Sequence, residues 1–401
     1  MHRAAWLLPI AAPPIRDGWV AVDAHRIVAT GDPVAQAPAG APLASPPFDH
    51  EPYAILPGLV NAHTHLELSW MAGLVPSSPS MPEWAGTLIG LRRSASFDPV
   101  EPIAEAIVGL RACGTSLVGD VTNTLAAHGS LMSADLSACI FRELFGFNAA
   151  DPAQLVADAE AELDALLHME WLRCSVVPHA PYSVSPDLFR AIARASRGGV
   201  VSVHVGESSA EVEFLRTGTG PWRRLLQRLG AWDPAWTPPA CDVVEYLDRL
   251  GLVTDRLLAV HGVQLTDGEL RRLAQAGATV VTCPRSNRWT GAGDPPISRF
   301  YGSGVRVAVG TDSLASVADL NLFNELAAIR AIAPGVPAAR ILESATRSGA
   351  NALGFGDLLG TIEPRKLADL IAVRVPPDVR DVEEYLLSGI SPADIRWLAA
   401  G

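Results

Sequence analysis

The sequence predicts an α/β chain folded as a (β/α)8 barrel of the TIM type, with a small β-sheet domain drawn from both termini. Three observations predict it. From residue 55 onward, short apolar runs rich in β-branched residues alternate with segments whose apolar residues recur at helical spacing, the pattern of parallel βα units. Eight such runs follow one another. Each begins apolar and ends in a polar or ionisable side chain, as expected where a site gathers at the C-terminal ends of barrel strands.

In order, "AILPGLVNAH" ends at His63, with His65 two residues on. "TSLVGDV" carries Asp120, "ACIFRELFGF" Glu143, "LRCSVVPHA" His179 and "VVSVHVG" His204. "LLAVHGV" carries His261, "TVVTCPRSN" Arg285 and Asn287, and "VRVAVGTD" Asp312. Segments 152–170, 187–198, 266–277 and 319–331 have the helical period between them. The barrel is expected over 55–360. Residues 1–54 with 361–401 are expected to form the small β-domain, because "GWVAVDAHRIVATG" and "LADLIAVRV" both read as strands. "PVAQAPAGAPLASPP" reads as a flexible connection within it. The tryptophan- and proline-rich segment 216–241 follows the fifth run, on the site's side. It is a candidate lid or substrate wall, and a packed surface excursion fits it equally well.

Composition narrows the function. The chain has 401 residues, 49% hydrophobic, and no apolar run long enough to span a membrane. A formal net charge of -12 argues against a nucleic-acid or anionic-membrane partner. Five cysteines, an odd count with no C-x-x-C pair, suit reduced thiols and a cytoplasmic location. "MHRAAWLLPIAAPP" has the basic start of an export signal. Its apolar part is short and broken by Pro9, so no export is expected. The partner expected is a small-molecule substrate, with a homodimer as the candidate assembly.

His63 and His65 stand two apart on a strand, so their imidazoles share a face. Spacing alone leaves open a pair of hydrogen-bonded rim histidines or half of a metal site. Five of ten histidines at strand ends favour the metal. With His204 and Asp312 they make a nitrogen/oxygen donor set suited to Zn²⁺, or to Fe²⁺ or Mn²⁺. A catalytic ion keeps a water and makes hydroxide available near neutral pH. Binuclear barrels of this kind need a bridging carboxylate, commonly a carbamylated lysine ending strand four. The only lysine is Lys366, far outside the runs, and His179 stands at strand four, so one metal is expected. Glu207, three residues after His204, is placed for general acid/base work, although a carboxylate at a helix N-terminus is its plain structural reading. His261 is either beside the hydroxide or a buried neutral histidine. No dinucleotide, P-loop or serine-elbow motif occurs.

"PGLVNAHTH", "VVPHAPYSVSP", "VSVHVGES", "LAVHGVQL", "TCPRSN", "VAVGTDSLAS" and "LGTIEPRKLADLIAV" together resemble the amidohydrolase superfamily, in its cytosine-deaminase-like/chlorohydrolase branch. The resemblance covers nearly the whole chain. It implies a mononuclear metal on His63, His65, His204 and Asp312, Glu207 as proton shuttle, His261 and Asp312 handling the hydroxide proton, and His179 on substrate. Within the branch, "HTHLELS", "MPEWAGTLI", "FRELFGF" and "CPRSNRWTGAGDPP" look like aminodeoxyfutalosine deaminases of menaquinone synthesis. Neighbouring members deaminate S-adenosylhomocysteine, methylthioadenosine or guanine, or dechlorinate triazines. The resemblance thus implies metal-hydroxide attack at adenine C6 with loss of ammonia. An aminodeoxyfutalosine carboxylate needs a cation, for which Arg142, Arg285 and Arg288 are candidates, and its ring needs a wall, for which Trp84, Trp222 and Trp289 are candidates. Glu143 is a candidate for ribose hydroxyls. A catalytically dead scaffold is disfavoured, because all four ligands and Glu207 are present.

Overall fold

The computed structural model describes residues 1–32, 48–94, 97–166, 169–196 and 198–398. The expected flexible connection, 33–47, lies outside the described residues.

All eight apolar runs contain a strand: Leu59–Thr64, Thr115–Thr122, Ser137–Leu144, Leu172–Pro178, Val201–Val205, Leu257–His261, Thr279–Thr282 and Arg306–Val309. The first four pair in chain order as one parallel sheet and the last four as another. The two arcs meet at the C-terminal ends of their strands. There the His204 amide donates to the His179 carbonyl at 3.0 Å, and the Thr311 and Asp312 amides both donate to the His63 carbonyl at 3.1 Å. The result is a TIM-barrel-like α/β fold, with helices supplying the crossovers that parallel strands require. The expected helices form as Pro152–Asp164, Pro186–Ala195, Asp267–Ala276 and Leu322–Ile332. Their starts follow capping chemistry: the side chains of Asp151, Ser185, Thr266 and Asn321 each accept from a first-turn amide, and Thr266 with Glu269 makes a capping box.

The first run departs from expectation. "AILPGLVNAH" is the end of one strand, Phe48–Pro57, and the whole of another, Leu59–Thr64. Proline has no amide to continue the ladder. A side chain at Gly58 would meet the Ser116 Cβ at 2.6 Å, so the chain changes sheets there. Phe48–Pro57 belongs to a seven-stranded sheet that joins both ends of the chain. On one side it pairs in parallel with His2–Leu7, and on the other antiparallel with Leu370–Arg374. Trp19–Asp23 and Arg26–Gly31, from "GWVAVDAHRIVATG", form a hairpin beyond His2–Leu7. Leu7, Val20, Ile55, Leu370 and Ala372 are buried between these strands.

The eighth strand approaches the first too closely for any side chain at Gly310. A Cβ there would lie 2.7 Å from the His63 carbonyl oxygen and 2.8 Å from the His63 Cβ. Gly310→Ala is expected to destabilise the fold by about 1–3 kcal/mol through overpacking, read as a lower urea midpoint at unchanged slope.

Candidate active site

The strand ends converge. Imidazole atoms of His63, His65 and His204 lie within 4.8 Å of one another, and so do ligand atoms of His63, His261 and Asp312. The His65 Nε2 is 3.9 Å from Asp312 Oδ1. His63 is fully buried and neither of its ring nitrogens has a hydrogen-bond partner among the described residues. A buried polar atom without a partner costs free energy, and a cation is the partner this ring is shaped for. The other two rings are oriented from behind. His204 Nδ1 donates to the His179 carbonyl at 3.1 Å, and His65 is hydrogen-bonded to the backbone of Val121, so each keeps one nitrogen free. Burial pushes His65 and His204 down to about 4, and His63, His179 and His261 well below the ordinary imidazole range. The cluster is therefore neutral at physiological pH, the state in which imidazole binds metal. Asp312 Oδ2 accepts from Ser286 Oγ at 2.6 Å. The residues present fit a divalent ion held by His63, His65, His204 and Asp312.

A third group, Glu143 with His179 and His204, has ligand atoms equally close. It is a hydrogen-bonded wall: the nitrogen of His204 facing Glu143, Nδ1 at 3.6 Å, already donates to the His179 carbonyl. Glu143 accepts from Asn123 Nδ2 at 3.0 Å, and burial pushes its carboxyl up to about 8.

Glu207 is buried with one carboxyl oxygen unpartnered. The other is 3.7 Å from His261 Nε2. Burial, then Asp312 and Glu211, push Glu207 well above the usual carboxylate range. Its plain structural reading falls, because Ser208 caps the helix Ser209–Thr217 and Glu211 takes the amides of Gly206 and Glu207, each at 3.0 Å. Glu207 is thus held by its backbone and free at its side chain. His261 is fixed by Asn287, whose Nδ2 lies 2.9 Å from Nδ1; donation from that amide puts the ring proton on Nε2, toward Glu207. His261 and Asp312 both adopt left-handed backbone, φ +73° and +61°. Non-glycine residues rarely do so, and strain of this kind gathers at functional sites.

His65, Glu143, His179, His204, Glu207, His261 and Asp312 all line one pocket, with Trp84 and Arg92. His179 stacks on Phe145 at 4.2 Å between centroids. Its Nδ1 is 2.6 Å from Ser183 Oγ, which spends its own proton on the Ala180 carbonyl, so His179 Nε2 is left as an acceptor. Asp120 serves structure: its carboxylate accepts the Leu66 amide at 2.9 Å, holding the chain just past His65.

The arginine candidates are corrected. Arg142 neighbours Glu143 on a strand, so the two face opposite ways, and Arg142 pairs with Glu162 at 2.7 Å on the helix side. Arg285 is held by Glu325 and Asp319, at 2.6 and 2.9 Å. Arg288 pairs with Asp294 at the surface. None of the three lines the pocket. Trp289 ties its indole to the Val75 carbonyl and lines neither the metal pocket nor the cleft that extends it, whereas Trp84 and Trp222 line that cleft. In segment 216–241, the helix Gly220–Leu229 supplies Trp222 to that wall, and Trp232 and Trp236 pack with Phe147 and Phe214.

Glu67, two residues beyond His65 in the "HTHLE" stretch, is visible in the sequence but is given no role there. It is buried, and its Oε2 accepts from Thr122 Oγ1, the Asn123 and Thr124 amides and Thr124 Oγ1, at 2.8 to 3.1 Å. Its Oε1 accepts from Arg92 at 3.2 Å. The strand ends at Thr64 and Glu67 lies in the 3-10 helix Leu66–Met71, so strand alternation could not place its side chain.

Neutral histidines converging with a carboxylate at the strand ends of such a barrel define a metal-dependent hydrolase. The sequence pattern of the Amidohydrolase family matches residues 54–388, and the chain belongs to that family. It is 31% identical to an aminodeoxyfutalosine deaminase of Deinococcus radiodurans over 84% of this chain and 81% of that protein. It is 30% identical to a 5-methylthioadenosine/S-adenosylhomocysteine deaminase of Moorella thermoacetica over 97% of this chain and 90% of that one. The fold superposes on an adenosine deaminase from Xanthomonas campestris with bound zinc, at TM-score 0.82 and 28% identity, covering 100% of this chain and 91% of that one. The chain is a hydrolytic aminohydrolase.

Two outcomes follow from this geometry. His63→Ala and Asp312→Asn are expected to fall well below the roughly one equivalent of divalent metal that a mononuclear site holds, measured by elemental analysis after dialysis. Glu67→Ala is expected to cost about 1–3 kcal/mol of stability by leaving the Thr122 hydroxyl and the Asn123 and Thr124 amides without their acceptor, read by denaturant unfolding.

Proposed function

We propose that the chain deaminates a modified adenosine at adenine C6, releasing ammonia, with aminodeoxyfutalosine as the first-choice substrate. The observation that carries it is Glu207: a buried carboxyl with a free oxygen, a raised pKa and a place beside the ligand cluster. The Deinococcus and Moorella relatives support the substrate class. Zinc is the proposed ion, in line with the Xanthomonas neighbour.

A divalent ion on His63, His65, His204 and Asp312 supplies, when bound, a water acidic enough to act as a nucleophile near neutral pH. The remaining work falls to the chain. Glu207 takes one proton of the attacking water and delivers it to the ring nitrogen beside the reacting carbon, which its raised pKa suits it to do. The water's second proton, accepted by Asp312, passes back through Glu207 to the departing amine, which leaves as ammonia. His261, with its proton on Nε2, donates to the attacking oxygen. Asp312, restrained by Ser286, accepts the oxygen's proton. His179 Nε2 accepts a hydrogen bond from the substrate, and Glu143 meets the ribose hydroxyls.

Methylthioadenosine and S-adenosylhomocysteine are the second reading, favoured by the Moorella relative. Ammonia release and the adenine-to-hypoxanthine absorbance change, followed on all three compounds, test both readings. No turnover of any of them by metal-loaded protein would overturn the proposal. Glu207→Gln is expected to lower kcat by roughly 10²–10⁴-fold, the usual worth of a general acid/base, with metal content unchanged. A variant that keeps most of its activity would remove Glu207 from the mechanism.

A further inference from the structure

The metal pocket continues into a second space. Met81, Trp84, Leu88, Arg92, Phe145 and His179 line both, so the two are one path. The extension has a volume of about 360 Å³ and runs between the helices Met81–Ser94 and Gly220–Leu229. One wall is the Tyr182 and Trp222 ring pair, stacked at 3.7 Å between centroids and 10° between planes, continued by Leu225, Leu226 and Leu229. Across from it stand Trp84, Leu88 and Ile89.

Three features of this cleft select for a ligand. Its walls are apolar and flat, matching an aromatic arm. The Trp84 indole N–H is buried and has no partner among the described residues, so it is an unused donor beside the path. Among the described residues no Asp or Glu side chain lines the cleft, while Arg92 and Arg93 both do. Arg92 is committed to Glu67 and Asn123, at 3.2 and 3.1 Å. Arg93 is exposed and enters no ion pair or side-chain hydrogen bond among the described residues. It also faces the outer hollow that holds Glu83 and Arg228.

We propose that this cleft is the specificity site of the deaminase, that it takes a flat apolar arm on the ribose ending in an anionic group, and that Arg93 is the residue that reads the anion. The inference rests on the deaminase reading above and names its substrate class. An amino-acid tail would bring an ammonium into a cleft that offers it no carboxylate, at a desolvation cost. A methylthio tail would leave most of the cleft to water. An arm carrying a ring and a terminal carboxylate meets the stacked wall first and the free guanidinium last, and a guanidinium suits a planar anion.

The test is kcat/KM of metal-loaded wild type, Arg93→Met and Arg93→Glu on aminodeoxyfutalosine and on methylthioadenosine. The ratio of the first substrate to the second is expected to fall roughly tenfold or more in Arg93→Met, as for loss of one charge-assisted contact. The loss should fall mainly on KM and be larger in Arg93→Glu. A ratio that stays at the wild-type value in both variants overturns the assignment of Arg93. A wild type that prefers methylthioadenosine overturns the reading of the cleft. Failure of wild type on both compounds overturns this inference, and failure on S-adenosylhomocysteine as well sinks the deaminase reading itself.

Discussion

The structure depends on one junction, where the end of the eighth barrel strand is bonded to the first. The His63 carbonyl receives two amides there, from Thr311 and Asp312. Asn61 and Thr311 exchange a reciprocal pair of hydrogen bonds at 2.7 and 3.1 Å. These bonds close a seam that the two four-stranded arcs otherwise leave open, and they bind together two segments about 250 residues apart in sequence. The His63 ring and the Asp312 carboxylate, two of the four proposed ligands, are placed by the same bonds. The placing of these two side chains and the closing of the seam are therefore one constraint. That explains why Gly310 has no room for a side chain and why Asp312 accepts a left-handed backbone.

Behind the ligands, polar groups are satisfied in layers. Carbonyls of Val121 and His179 orient His65 and His204, Ser286 restrains Asp312, and Asn287 holds His261. Glu211 spends its carboxylate on backbone amides, which lets Glu207 keep its own unspent. Burial then sets protonation: imidazoles are held neutral and the Glu207 and Glu143 carboxyls are pushed upward. A site that must hold a cation and move protons needs both conditions.

Much of this was legible in the sequence, for a physical reason. Buried parallel strands demand apolar residues along their length, so a histidine or carboxylate at the end of one stands out against its run. That contrast pointed to a strand in each of the eight runs and to His65, His204, Glu207, His261 and Asp312, which line one pocket, with the buried His63 ring packed against His65 behind it. It failed for Arg142, Arg285 and Arg288. An arginine's partner depends on which helix lies against which strand, and Glu162, Glu325 and Asp319 are 20 to 40 residues away. Arg142 alone could have been set aside in advance, since strand alternation turns it away once Glu143 faces the pocket. The boundary at Pro57 was blurred because two consecutive strands were both apolar, and hydrophobic pattern cannot mark a change of sheet. Arg92 and Arg93 carry no motif that singles them out in the sequence, and only the packing of the helix Met81–Ser94 against Gly220–Leu229 shows what they face.

The sheet that joins the two ends of the chain has a consequence for synthesis. The antiparallel partner of Phe48–Pro57, Leu370–Arg374, is made more than three hundred residues after it. At 5–20 residues per second, that edge waits roughly 15–60 s for its mate. His2–Leu7 can cover the other side meanwhile, but one row of amides and carbonyls stays open to any extended chain nearby. The nascent protein is thus longest exposed to mispairing at this edge, and emergence of Leu370–Arg374, rather than formation of the barrel strands, sets the moment when the danger ends.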